Sequence, residues 1–218
     1  MKVYFIPGLA ADKRVFKYIE LPGGYEPVYL DWIPPEPDET LEHYSRRMAE
    51  SINGKEPFIL IGLSLGGMIG CEISRLYHPD KLILISSITD SKEIPGYYRL
   101  FQKLNVHKVI PASLIKSASI IKRIFTPETP EVKELLRKII RESDPDFIRW
   151  ALGAILHWKG ERPDVPLYHI HGTTDEILPL KYTSPQFTIE KGTHLMVLSK
   201  AKEVNDVLKN ILDGNGSR

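Results

Sequence analysis

Three short stretches of this sequence carry side chains that could do chemistry together. They are Gly62-Leu63-Ser64-Leu65-Gly66, the run His171-Gly172-Thr173-Thr174-Asp175-Glu176-Ile177-Leu178-Pro179, and Gly192-Thr193-His194-Leu195. A serine hydroxyl is a weak nucleophile alone; a histidine that takes its proton, oriented in turn by a carboxylate, activates it. The glycines two places before and two after Ser64 pose the first question. Either the segment is a flexible turn, or the backbone bends so sharply that side chains would not fit there. By chance G-x-S-x-G turns up in roughly one chain of this length in fifteen, so its setting must decide. That setting is the apolar run Phe58-Ile59-Leu60-Ile61 before it and the helical period Met68, Ile69, Ile73, Leu76, Tyr77 after it. A strand–turn–helix of this kind is what a nucleophile elbow requires. It lifts the hydroxyl to the carboxyl end of the sheet, where the next helix's N-terminus favours developing negative charge. The plainer alternative is that Ser64 only caps that helix.

Other polar residues compete for these roles. Asp90, in Ser86-Ser87-Ile88-Thr89-Asp90, follows another apolar run, so two carboxylates are candidates for the acid. Each also has a bland role: Asp175 could close a turn, and Asp90 could cap a helix. His169 and His171 alternate in a strand and read as packing and loop hydrogen-bonding residues, not as a metal pair. His78, beside Pro79, reads as structural. Cys71 lies two helical turns beyond Ser64 and reads as a small buried hydrophobe. As the single cysteine it leaves no intrachain disulfide and no cysteine-based metal cluster.

The elements that must hold these residues alternate. Val3-Tyr4-Phe5-Ile6, Pro27-Val28-Tyr29-Leu30, Phe58 to Ile61, Lys81-Leu82-Ile83-Leu84-Ile85, Leu167-Tyr168-His169-Ile170-His171 and Gln186-Phe187-Thr188-Ile189 read as six strands. Between them Leu41, Tyr44, Met48 and Ile52 recur at helical spacing, with Asp38 as the expected cap and Gly54 as the stop. A last helix is expected from about Lys200 to Leu212. Alternating strands and helices imply an α/β fold, a mostly parallel sheet covered by helices on both faces. The rhythm breaks only between Ile88 and Pro163, where helix starts are expected at Pro111-Ala112, Pro130-Glu131 and Asp144-Pro145. We therefore expect a core of residues 1–87 and 164–213, a helical cap inserted at 88–163 over the sheet's edge, and a disordered tail at 214–218.

Composition narrows the function classes. The 218 residues are 42% apolar and 26% charged, ordinary for a globular domain, and the formal net charge is +1. No global field recruits nucleic acid or an anionic membrane. The N-terminal apolar stretch turns at once into Pro7-Gly8, too short for a secretory signal or a membrane span. A cytoplasmic protein is expected. Its partner is expected to be a small-molecule substrate.

Taken in order, the three stretches resemble the α/β-hydrolase superfamily. GLSLGG resembles its elbow, HGTTDEILP its acid turn, and GTHL its catalytic-histidine loop. The resemblance implies an α/β-hydrolase fold with a six-stranded sheet and a serine hydrolase acting on an ester or thioester through an acyl-enzyme. Ser64 would be the nucleophile, His194 the base and Asp175 the acid, with no metal and no organic cofactor. Oxyanion donors would be the backbone N–H groups of Leu65, directly after the nucleophile, and Leu9, in the loop after the first strand. That loop reads Ile6-Pro7-Gly8-Leu9-Ala10, and Pro7 departs from the His-Gly usual in the family. The same triad also suits a carbon–carbon hydrolase or lyase, and a non-catalytic ligand-binding relative would keep the fold alone. Phe147, Trp150, Ala151, Ala154 and Trp158 share one helical face in the insertion. Phe147, Trp150, Ala154 and Trp158 are therefore expected to roof the substrate pocket, although such a stripe is more often core.

Overall fold

The computed structural model describes residues 1–98 and 129–214. Its strands are β1 (Lys2–Ile6), β2 (Glu26–Tyr29), β3 (Phe58–Leu63), β4 (Lys81–Ile85), β5 (Leu167–Gly172) and β6 (Phe187–Ile189). They form one sheet in the order β2-β1-β3-β4-β5-β6, and every neighbouring pair is parallel. The helices are α1 (Leu41–Ala49), α2 (Leu65–Leu76), α3 (Pro130–Glu142), α4 (Pro145–His157), α5 (Met196–Ser199) and α6 (Ala201–Leu212).

Strand β3 shows why the sheet needs cover on both sides, because all six of its residues are buried. Side chains alternate across a strand. Phe58 and Leu60 join a core with Leu41 and Tyr44 of α1, Met68 and Ile69 of α2, and Phe147 and Ala151 of α4. Ile59, Ile61 and Leu63 join the opposite core with Leu136 and Ile139 of α3 and Val204 and Leu208 of α6. Because all strands run the same way, the loops after β1, β3, β4, β5 and β6 gather at one edge, where ligands bind in open α/β sheets.

Two expectations need correcting. Helix α1 is capped by Thr40, whose hydroxyl accepts from the His43 N–H at 3.2 Å. Asp38 sits two residues earlier in a left-handed turn, φ 54°, and the helix ends at Ala49, short of Gly54. More consequential is the segment expected to cap the sheet's edge. Helix α3 begins at Pro130 behind its Thr129 cap, and α4 begins at Pro145 behind Asp144. They then pack on opposite faces of the sheet, α3 in one core and α4 in the other. Ion pairs tie α3 to the turn after β1, Glu131 to Lys17 at 2.9 Å and Glu142 to Arg14 at 2.7 Å. These two helices are parts of the sheet's own cover. The helix start expected at Pro111-Ala112 and tail residues 215–218 lie outside the described residues. Among the described residues no helix is long and apolar enough to cross a membrane.

Candidate active site

Strand β3 ends at Leu63 and α2 begins at Leu65, so Ser64 alone makes the turn. Its backbone sits at φ 53°, ψ −118°, a strained conformation for a residue with a side chain. Neighbours enforce it. The Ser64 N–H donates to the Ile85 carbonyl at 3.0 Å, and its own carbonyl accepts from the Gly67 N–H at 2.9 Å and the Ser87 hydroxyl at 2.7 Å.

The flanking glycines now have their reason. A Cβ on Gly66 would collide with the carbonyl oxygens of Ile6 and Pro7, and one on Gly62 with the backbone of Gly66 and Gly67. The chain passes too close to itself for side chains; flexibility is not the cause. Gly8 brings the loop after β1 against the serine, its Cβ position lying 3.3 Å from the Ser64 Cβ. Although Ser64 occupies the cap position of α2, its hydroxyl makes no capping hydrogen bond. It lies instead 2.9 Å from Nε2 of His194.

His194 follows β6 and Asp175 follows β5, and their loops are stitched together. A Cβ on Gly172 would strike the Gly192 carbonyl. Both the N–H and the hydroxyl of Thr174 donate to that carbonyl, each at 3.0 Å, while the Lys191 N–H donates to the Thr173 hydroxyl at 2.8 Å. Nδ1 of His194 is thereby held 2.8 Å from Oδ2 of Asp175. Oδ1 accepts from the N–H groups of Ile177 and Leu178, both at 2.9 Å. Burial alone would push the Asp175 pKa up, but the charge and hydrogen bond of His194 and the Leu178 N–H hold it below the usual carboxylate value. Exposure is graded along the chain: Ser64 is partly open, His194 is buried, and the Asp175 side chain is fully covered.

Asp90 is elsewhere engaged, its carboxylate accepting from the Lys92 N–H at 2.7 Å as the cap of a short turn. Burial raises the Cys71 thiol pKa well above its ordinary value, so this side chain is inert. Among the described residues, neither the Leu65 nor the Leu9 N–H has a hydrogen-bond partner, and Ala10 turns at φ 55°. One group among the described residues, Glu36, Glu39 and His43, has ligand atoms close enough to approach a cation. There the carboxylate of Glu39 is occupied by Arg47 at 2.9 Å and His43 at 2.7 Å.

The roofing residues expected on α4 are corrected by their partners. Trp150 donates through Nε1 to the Glu39 carbonyl at 2.9 Å, and its ring lies tilted 4.3 Å from the Tyr44 ring. Trp158 donates to Oε1 of Glu72 at 2.7 Å, while Ala154 and Trp158 are buried in the core shared with α1 and α2. An apolar stripe at helical spacing states that a face is covered, not by what. Phe147 differs, because besides packing 4.8 Å from Trp32 it lines a cavity of about 290 Å3 with Ala10, Trp32 and the acidic residues Asp12, Glu142 and Asp144. That cavity adjoins the loop carrying Leu9.

Sequence reasoning missed two contributors. Ser87 braces the Ser64 carbonyl, and only its place two residues after β4 hinted at that. His171 was expected to make loop hydrogen bonds and does so, donating to the Leu178 carbonyl at 2.7 Å. It also lies 3.5 Å from Oδ2 of Asp175, which its spacing did not foretell.

The sequence matches the model of the alpha/beta hydrolase family over residues 3–207. No curated protein matches it. Among solved structures, it is similar to MenH from S. aureus (TM-score 0.76, 16% identity, covering 100% of this chain and 95% of that one). It is also similar to a putative lipase from Acinetobacter baumannii AYE (TM-score 0.74, 18%, 98% and 83%). A thermophilic esterase from Thermogutta terrifontis, malate bound, is a third (TM-score 0.71, 20%, 100% and 91%). Likeness at these identities is likeness of fold.

Proposed function

The chain belongs to the alpha/beta hydrolase family, and on that premise we propose that it is a serine hydrolase cleaving a small ester or thioester through an acyl-enzyme. The observation that carries this reading is the unbroken relay from the Ser64 hydroxyl through His194 to Asp175, with contacts of 2.9 and 2.8 Å.

Each atom has a task. Oγ of Ser64 attacks the substrate carbonyl carbon while Nε2 of His194 takes the hydroxyl proton. Asp175 keeps the other imidazole proton on Nδ1 and stabilises the imidazolium. The tetrahedral oxyanion is met by the N–H of Leu65, at the positive end of α2, and by that of Leu9. Collapse expels the alcohol or thiol, protonated from Nε2, and leaves Ser64 acylated. Water then gives its proton to Nε2, attacks the acyl carbon and releases the acid. Support for Leu9 is that its loop is pressed against Ser64 at Gly8 and that its N–H is unengaged among the described residues.

A panel of nitrophenyl esters and acyl thioesters, followed on the millisecond scale, tests this reading. A burst of leaving group equal to the enzyme concentration is expected for at least one acyl length. Absence of turnover across the panel, by folded protein, contradicts it.

A further inference from the structure

We infer that His171, on β5, is a positioning residue that fixes Asp175 and, through it, the tautomer of His194. The inference rests on the hydrolase reading for its kinetic consequence, but not for its geometry.

Beneath the acid turn two histidines stand edge to face on one side of β5, their ring centroids 5.1 Å apart, both without solvent exposure. Nε2 of His169 is 3.1 Å from Nδ1 of His171, and Nε2 of His171 is 2.7 Å from the Leu178 carbonyl and 3.5 Å from Oδ2 of Asp175. Hydrogen placement follows from the partners. The Leu178 carbonyl and the Asp175 carboxylate only accept, so Nε2 of His171 carries its proton. In a neutral ring Nδ1 of His171 then accepts, and Nε2 of His169 must donate. Moving the His169 proton to Nδ1 instead would set two lone pairs against each other across the 3.1 Å between the rings. Nδ1 of His169 is then left bare; it is buried with no partner at hydrogen-bond geometry, although the Ser87 backbone nearby favours a proton on that ring. Burial lowers the pKa of both rings, which agrees with a neutral pair.

The polarity therefore runs one way into the site. His169 donates to His171, and His171 donates to the carbonyl of Leu178. The N–H of that same Leu178 donates to Asp175 Oδ1 at 2.9 Å. His171 thus grips the residue that grips the carboxylate, and it presents its N–H on the side of Oδ2 that His194 also uses. Packing alone would be served by an apolar residue, as at the neighbouring Ile170, which is also fully buried. Two buried imidazoles with an unpaired nitrogen carry a desolvation cost that packing does not explain.

Nitrogen-detected NMR of the wild-type histidines reads the tautomers directly. Protons on Nε2 of both His169 and His171 are expected; a proton on Nδ1 of neutral His171 overturns the inference, whatever any variant does. In His171→Phe, the proton shared by His194 Nδ1 and Asp175 should shift or broaden. Its kcat should fall about ten- to a hundredfold, with KM within about twofold. His171→Gln places an amide N–H near the Nε2 position and should recover most of the loss. A folded His171→Phe with unchanged kcat and an unchanged His194 resonance overturns positioning. If wild type neither turns over nor labels at Ser64, the hydrolase reading fails while the tautomer and resonance results still decide the role of His171.

Discussion

Replacing Asp175 by asparagine preserves the side chain's shape and changes one thing, the direction of a proton. In the wild-type site Oδ1 accepts two backbone N–H groups at 2.9 Å and Oδ2 accepts from His194 at 2.8 Å. An amide in that place must turn its oxygen toward the N–H groups of Ile177 and Leu178, since its NH2 would meet two donors there. The NH2 then faces Nδ1 of His194, which can only accept from it. The imidazole proton moves to Nε2, 2.9 Å from the Ser64 oxygen, and the base is lost with every heavy atom in place. A wrong tautomer of this kind costs about 10^4 in kcat, close to 5 kcal/mol of barrier. Asp175→Asn should therefore melt near the wild-type temperature while ester turnover falls by about four decades. Asp90→Asn is the control: Asp90 caps a turn, asparagine caps as well as aspartate, and turnover should stay within about twofold. Folded Asp175→Asn that retains more than about a tenth of wild-type turnover refutes the assignment. So does a collapse in Asp90→Asn alone.

Gly66→Ala should destabilise the fold by about 1–3 kcal/mol or more, because its Cβ has no room against the Ile6 and Pro7 carbonyls; a denaturation midpoint equal to wild type would show that the loop can yield. Acid should unfold the protein through β5 before its carboxylates titrate. Burial holds the pKa of His169 down to about 3 and lowers that of His171 below its ordinary 6.5. Below about pH 6.5 the unfolded chain therefore binds protons that the folded chain does not. Stability, fully present above that pH, should fall by about 1.4 kcal/mol per pH unit for each such histidine. For His169 the loss continues toward pH 3, and His169→Leu should flatten the slope between pH 6 and 4; an unchanged slope contradicts its neutral burial.

Much of this architecture was legible because the strands are short and the sheet is parallel. A run such as Phe58 to Ile61 can be apolar throughout only when both faces are covered. The tight turn at Ser64 was legible for a similar reason, since glycine on both sides of it marks backbone contact that no side chain survives. What the sequence hid were choices between equivalent local solutions. Asp38 and Thr40 both suit a cap, and only the left-handed turn at Asp38 leaves the work to Thr40. Helix α4 advertised an apolar face without stating its partner, which is the pair α1 and α2. The contact of His171 with Asp175 depends on how the acid turn folds back over β5, a long-range fact that alternation in a strand does not encode.

The central claim is that Ser64 is an activated nucleophile, and intact-protein mass spectrometry after exposure to a fluorophosphonate tests it most directly. One adduct per chain is expected, mapping to Ser64 and absent from Ser64→Ala. Folded wild-type protein that gains no adduct, or Ser64→Ala that gains one as readily, contradicts the claim.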